Sequence, residues 1–335
     1  MSDPLISILM PVRNTAMYLK DCVQSILNQT EQHWELLAID DHSTDNSWAI
    51  LSAFSKKDAR IKVFQNKGRG IITALRLAFS ESKGKLITRM DSDDLMVSQK
   101  LAALKRPLLK KGRGYLTTGL VHYFSDNELG EGYRKYQNWL NSLTQNGTNF
   151  SEIYKECVIP SPCWMVYRND LKKCQAFHLN RYPEDYDLCF RFYEQRLKVI
   201  PCNVVLHHWR DYAQRTSRTD KHYRDNSFLL LKMSYFLQLD YNAKRPLLLW
   251  GAGKKGKWIA QYLVQHQYSF QWICNNDKKI GKEIYGQLLQ PISTLNTIQR
   301  PQLIISVAGP THQLDIQKIL KEKNLRVGED YFFFC

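Results

Sequence analysis

Leu86-Ile87-Thr88-Arg89-Met90-Asp91-Ser92-Asp93-Asp94 reads as an apolar strand that stops at three carboxylates within four positions. Carboxylates crowded at the end of a buried strand repel one another, so such a cluster calls for a cation or a ring of donors. Upstream, the pattern alternates. Residues 5–12 form an apolar run closed by Pro11 and Arg13-Asn14, and a helical pattern through Leu19, Cys22, Val23 and Ile26 follows. Residues 34–39 make a second strand closed by Asp40-Asp41, and Ser43-Thr44-Asp45 then caps a helix carrying Trp48, Leu51 and Phe54. Residues 61–64 make a third strand, and a helix over 71–82 leads into the fourth. This order predicts an α/β fold with a mainly parallel sheet, flanking helices on both faces and a ligand crevice beyond the carboxyl ends of the strands. Arg13, Asp41 and the Asp91 to Asp94 cluster all point to that crevice, with Asp94 read as a cap of the next helix.

Composition narrows the chemistry. The 335 residues suit two domains, and 47 Lys and Arg against 32 Asp and Glu give a net charge of +15. That sign favours anionic partners: nucleotide diphosphates, acidic glycans or an anionic membrane surface. The basic residues are dispersed and carry no zinc, helix-turn-helix or RNP signature, so nucleic acid is not expected. No run approaches the length of a membrane span, the first 30 residues do not read as a signal peptide, and a cytoplasmic protein, peripheral at most to the inner membrane face, is expected. The eight cysteines contain no C-x-x-C pair and read as free core thiols. Hard cations such as Mg²⁺ or Mn²⁺ take carboxylate and phosphate oxygens together, and Asp91 and Asp93 suit that arrangement.

Four ordered stretches carry a resemblance. Ser7-Ile8-Leu9-Met10-Pro11-Val12-Arg13-Asn14, Ser25-Ile26-Leu27-Asn28-Gln29-Thr30, Asp40-Asp41-His42-Ser43-Thr44-Asp45 and Arg89-Met90-Asp91-Ser92-Asp93-Asp94 resemble the motifs of family-2 inverting glycosyltransferases of the GT-A fold. The resemblance spans about residues 4–110 and thins out toward 220. It implies a GT-A nucleotide-diphospho-sugar transferase fold with a mixed, mainly parallel sheet. It further implies that Pro11 and Arg13 line the nucleotide pocket, that Asp41 accepts a hydrogen bond from the base, and that Arg89, Asp91 and Asp93 sit at the ribose and metal. Where the family often has an Asn in the helix after the third strand, Ala74-Leu75-Arg76-Leu77 stands here.

An inverting displacement needs a base on the acceptor hydroxyl. Arg181-Tyr182-Pro183-Glu184-Asp185-Tyr186-Asp187 places acids in the first turn of a helix with Tyr186, Phe190 and Tyr193 on one face. Such acids ordinarily complement the helix dipole; the likeness to the family's E-D element singles out Asp185, with Glu184 and Asp187 in reserve. Residues 197–206 read as a strand ending at His207-His208-Trp209-Arg210; with the basic run after it, this looks like the family's region where an arginine or histidine meets the leaving diphosphate, and Arg210 and Arg215 suit that role because a guanidinium fork donates paired hydrogen bonds, a solvated loop being the alternative. Tyr133, Tyr136, Trp139, Trp164 and Tyr167 are either core residues or faces for an acceptor sugar.

A second pattern begins near 245. Strand 247–250 is followed by Gly251-Ala252-Gly253-Lys254-Lys255-Gly256 and a helix, and strand 270–274 ends near Asp277. Gly251, Gly253, Gly256 and Asp277 fit a phosphate-binding turn with a ribose acid, and the segment resembles the small nucleotide-binding module of some sugar acyltransferases. A nucleotide site, a regulatory unit and an assembly surface all remain open for it. The expected domains are 1–225, a helical linker at 226–244, and a Rossmann-like α/β domain at 245–335. The leading function is metal-assisted transfer from a nucleotide-diphosphate sugar to a glycan, lipid-linked or protein acceptor, as in polysaccharide biosynthesis. The alternatives are a nucleotidyltransferase acting on sugar phosphates, whose Gly-rich first loop is missing at Pro11 to Thr15, and a non-catalytic nucleotide-binding protein.

Overall fold

The computed structural model describes residues 3–125, 128–219, 223 and 228–335. The chain divides into two compact units: Met1–Asn149 with Val158–Arg224, and Phe150–Cys157 with Asp225–Cys335. The domain boundary expected at 225–226 lies outside the described residues. No helix among those described is long and apolar enough to cross a membrane.

The first unit runs β1 (Ile6–Val12), α1 (Ala16–Leu27), β2 (Trp34–Asp40), α2 (Ser47–Lys57), β3 (Ile61–Gln65), α3 (Ile71–Glu81), β4 (Leu86–Arg89), β5 (Leu95–Met96), α4 (Lys100–Lys111), β6 (Tyr115–Phe124), α5 (Glu131–Asn146), β7 (Trp164–Tyr167), α6 (Arg168–Lys173), α7 (Glu184–Glu194), β8 (Lys198–Arg210) and α8 (Thr216–Thr219). Its sheet has the order β3-β2-β1-β4-β7-β6-β8-β5. β1 to β4 are mutually parallel, and β1 and β2 are buried along their whole length, as strands covered on both faces must be. β7 inserts antiparallel between β4 and β6, so β6 and its parallel neighbour β8 point the same way as β1 to β4. This topology brings Arg210, at the end of β8, to the same edge as Val12, Asp40 and Arg89.

Two local readings change in three dimensions. β8 does not stop at 206: Leu95 and Met96 pair with His208 and His207, and β6 pairs as far as Arg210, so the extra backbone hydrogen bonds carry the strand through 210. Asp45 does more than start α2. Its Oδ1 accepts from the Ser47 amide at 2.9 Å and its Oδ2 from the Ala16 amide at 2.9 Å, so one carboxylate satisfies the first free amide of both α1 and α2. Burial opposes this charge, but those hydrogen bonds hold the carboxyl below its usual range.

The second unit contains α9 (Leu229–Leu239), β9 (Leu247–Trp250), α10 (Lys254–Gln265), β10 (Gln271–Cys274), β11 (Glu283–Ile284), β12 (Gln287–Pro291), β13 (Gln302–Ile305), α11 (Pro310–Glu322) and β14 (Tyr331–Phe333). Strands β12-β10-β9-β13-β14 are parallel in that order, with β11 antiparallel at one edge. Read in chain order this is 3-2-1-4-5, the doubly wound arrangement in which ligands sit beyond the first strand. The segment 150–157 joins this unit from far upstream: Tyr154 stacks on Phe334 at 5.2 Å and meets Phe236 of α9 edge-on at 5.7 Å. The helix expected to be a linker thus shares the second unit's aromatic packing.

Gly256 lets α10 lie against β9. A Cβ there would strike the Gly251 carbonyl oxygen and come within 2.7 Å of Ser306 Oγ. Gly256→Ala should destabilise the second unit by about 1–3 kcal/mol, the usual cost of forced overpacking, seen as a lowered thermal transition; an unchanged transition would mean the helix can simply lift away.

Candidate active site

The site assembles at the carboxyl ends of β1, β2, β4 and β8. Asp41 follows β2 directly and is buried. Its carboxylate accepts the Gly70 amide at 3.0 Å on both oxygens and Asn66 Nδ2 at 2.7 Å, and Arg13 Nη1 lies 3.7 Å away. The Arg13 side chain is 63% exposed, so one face of this pair is open. Asn66, just past β3, stands at the same kind of strand end as Asp41, a position that strand order alone marks. It also donates to Thr73 Oγ1 at 2.9 Å, which fixes the start of α3. Pro11 is buried inside β1, behind Arg13.

The acidic loop after β4 is tied down from three sides. Thr15 Oγ1 donates to Ser92 Oγ at 3.0 Å, joining it to the loop after β1. Tyr212 Oη donates to Asp93 Oδ2 at 2.9 Å, and Arg210 Nε donates to the Asp93 carbonyl at 2.9 Å. Arg89 Nε donates to Asp91 Oδ1 at 2.8 Å while its Nη1 reaches Glu184 Oε1 at 3.0 Å. That buried guanidinium therefore links the end of β4 to the start of α7, and the charges of both carboxylates outweigh burial to keep it protonated. Tyr182 closes the circle, since a Cβ on Gly70 would lie 3.0 Å from its Oη. Asp41, Asp91, Asp93, Glu184 and Asp185 are thus brought to one region.

Their electrostatics differ. Burial, with the Glu184 charge beside it, pushes the Asp185 carboxyl up to about 7 against the pull of Arg89. Its Oδ1 accepts the Tyr186 amide at 2.8 Å, and the residue keeps partial exposure. Glu184 is committed to Arg89 and to Tyr223 Oη at 2.6 Å. Burial also raises the Asp93 carboxyl, Arg215 opposing and Asp91 adding to the shift.

Asp94 is not a helix cap. The residue preceding α4 is Gln99, and Asp94 is 0% exposed with Oδ2 3.0 Å from His207 Nε2 and Oδ1 accepting the Arg210 amide at 2.8 Å. His207 Nδ1 in turn lies 3.0 Å from Lys100 Nζ, which also donates to the Pro162 carbonyl at 2.5 Å. Burial and the neighbouring Lys100 hold His207 well below its usual range, so the ring is neutral, accepting from lysine and donating to aspartate. Sequence spacing alone carried no sign of this relay. Arg210 lies against the rings of Tyr18 and Phe124, at 4.5 Å from each, and Arg215 is buried over Trp209 at 5.2 Å. Trp164 and Tyr167 are core residues, and Tyr133, Tyr136 and Trp139 pack on that core.

No group of three or more His, Cys, Asp or Glu side chains is placed to hold a metal among the described residues. Asp91 and Asp93 are two carboxylates two positions apart, Asp91 Oδ1 held by Arg89 and Asp93 Oδ2 by Tyr212, and a pair of carboxylates suits a cation that completes its shell with phosphate. In the second unit, Gly251 has φ of 119°, Gly253 faces open space, Lys279 Nζ donates to the Ala252 carbonyl at 2.8 Å, and Asp277 is exposed just beyond β10. Trp250 Nε1 donates to Asn275 Oδ1 at 2.6 Å, so Asn275 rather than Asp277 meets the end of β9.

The Glycosyl transferase family 2 profile matches residues 7–174. Glycosyltransferase GlyG of Streptococcus pneumoniae is 41% identical over 121 residues, which cover 36% of this chain and 40% of GlyG. Chondroitin synthase of Pasteurella multocida is 29% identical over 215 residues, 61% of this chain and 21% of that protein. The chain spans less than half the length of either relative. Among solved structures, S. aureus TarS 1-349 in complex with UDP-GlcNAc superposes with a TM-score of 0.54 at 16% identity, covering 78% of this chain and 72% of that one, a likeness of fold.

Proposed function

The chain belongs to glycosyl transferase family 2, and on that premise we propose that it is an inverting transferase that moves a sugar from a nucleotide-diphosphate donor to a hydroxyl acceptor. The observation that carries this reading is the Arg89 bridge between Asp91 and Glu184, which sets a donor-side carboxylate and Asp185 in one site. Asp185 is the base: a carboxyl pushed up to about 7 accepts a proton far more readily than an ordinary surface aspartate. Glu184, locked by Arg89 and Tyr223, positions it. Arg13, Asp41 and Pro11 take the nucleoside, and Arg210 and Arg215 face the diphosphate. The donor of the TarS complex, UDP-GlcNAc, supports a UDP-sugar here too. The acceptor is a glycan, a lipid-linked saccharide or a protein, as in polysaccharide biosynthesis, which the similarity to chondroitin synthase supports.

Asp91 and Asp93 would hold Mn²⁺ or Mg²⁺, which when bound supplies positive charge for the departing diphosphate. The like charge of Asp91 that raises Asp93 is what such an ion relieves. In the second unit, the turn at Gly251 and Gly253, with Gly256 packing the helix behind it and Asp277 exposed beyond β10, supports a nucleotide site of regulatory role.

Asp93→Ala should lower Mn²⁺-dependent release of nucleoside diphosphate by at least about 100-fold while the chain still unfolds cooperatively. A screen of nucleotide-sugars with and without Mn²⁺ measures this, and unchanged metal-supported turnover in the variant would remove Asp93 from the ligand set. The nucleotidyltransferase alternative predicts instead pyrophosphate release from a nucleoside triphosphate plus a sugar 1-phosphate, and no nucleoside diphosphate from the nucleotide-sugars.

A further inference from the structure

The end of the first unit's sheet opposite the acidic site gathers cations. Lys85 precedes β4, Lys111 and Arg113 precede β6, Arg196 precedes β8 and Lys198 opens it, and Lys173 ends α6, which leaves from the end of β7. Backbone pairing holds these connections side by side: the Arg168 amide donates to the Lys85 carbonyl at 2.9 Å, the Lys198 amide to the Gly114 carbonyl at 3.0 Å, and the Gly114 amide to Asp170 Oδ2 at 2.8 Å. All six cations are exposed. Of the acids at this end, Asp170 is buried and accepts that amide, Glu35 is buried and accepts the Lys83 and Gly84 amides, and Glu81 and Glu194 lie at neighbouring helix ends.

We propose that this face docks the protein on an anionic lipid surface. A seven-residue strand such as β1 spans about 23 Å, so the cations stand well beyond the roughly 8 Å screening length from the site carboxylates and do not serve the donor diphosphate. With the site's carboxylate cluster at one end and an excess of cations at the other, the unit carries a dipole that an extended anionic plane turns cations-down, leaving the site facing away from the lipid. Four of the six are lysines, hydrated point charges suited to diffuse attraction rather than to the paired hydrogen bonds of a specific phosphate pocket. Leu109, 39% exposed and one residue before Lys110, adds an aliphatic contact of the kind a headgroup layer accepts. No exposed aromatic ring stands among the six in the described residues, which disfavours stacking on single-stranded nucleic acid.

Flotation of the full chain with vesicles tests this. Vesicles of phosphatidylcholine with about 30 mol % phosphatidylglycerol should carry the protein at low salt and release it at about 0.5 M salt, and pure phosphatidylcholine should not bind it. Lys111→Gln/Arg113→Gln/Lys173→Gln should weaken binding roughly 100-fold, at about 1 kcal/mol per cation. The corresponding Glu variant should abolish binding, and both should release nucleoside diphosphate at the wild-type rate. Equal binding to neutral vesicles, undiminished binding of the variants, or displacement of the vesicles by duplex DNA at matched charge would each overturn the proposal. Since the readout is binding, it stands or falls apart from the glycosyl-transfer reading.

Discussion

Asp185→Asn is expected to reduce sugar transfer by about 10²–10⁴-fold while nucleotide-diphosphate affinity stays near the wild-type value. The amide keeps the size of the carboxylate and can still accept the Tyr186 amide, so the start of α7 is preserved. What it loses is the ability to take a proton. Because the Asp185 carboxyl is pushed up to about 7 by burial and by Glu184, the wild-type rate should be pH-dependent in a diagnostic way. The active form is the carboxylate, so the rate should fall about tenfold per unit as pH drops below about 7 and level off above it. The residual rate of Asp185→Asn should lack that inflection. Loss of nucleotide binding in the variant would instead place Asp185 on the donor side, and a wild-type profile inflecting near an ordinary carboxylate value would deny it the role of base.

His207→Ala should be the most destabilising single truncation in the first unit. Lys100, His207 and Asp94 are each 0% exposed, and the imidazole is the only side chain seen to join Lys100 Nζ to the Asp94 carboxyl among the described residues. Burial raises the Asp94 carboxyl and lowers the Lys100 amine, and removing the imidazole between them leaves two buried polar groups without that partner, at about 1–3 kcal/mol each. For a unit of this size that is roughly 10 °C in melting temperature, read by thermal or urea denaturation. A loss below about 1 kcal/mol would mean that water enters the gap and solvates both groups. Asp94 also accepts the Arg210 amide, so the truncation should loosen the loop bearing Asp93 and lower metal-supported turnover in the protein that remains folded.

The relay shows why the acidic cluster was only partly legible. That Asp91 and Asp93 end a buried strand is a local pattern, visible in a window of ten residues, and so is the placement of Asp41 after β2. What Asp94 does depends on His207, 113 residues away, and what Glu184 does depends on Arg89, 95 residues away. Neither pairing leaves a periodicity in the chain. The same holds for Tyr154, whose aromatic partners Phe236, Phe332 and Phe334 lie far downstream and draw residues 150–157 into the second unit.

The sequence by itself determined the α/β class, the strand ends that carry Arg13, Asp41, Asp91 and Asp93, and the glycine turn at 251–256, because strand burial, strand-end polarity and glycine turns are written in neighbouring residues. Only the tertiary structure decided that β7 runs antiparallel between β4 and β6, that β8 reaches Arg210 beside the acidic loop, and that Asp94 belongs to a buried relay. The physical reason is range. Backbone propensity and hydrophobic period act over a few residues, whereas strand order, burial of charge and the resulting shift of a carboxyl such as Asp185 are set by groups that meet only when the chain has folded.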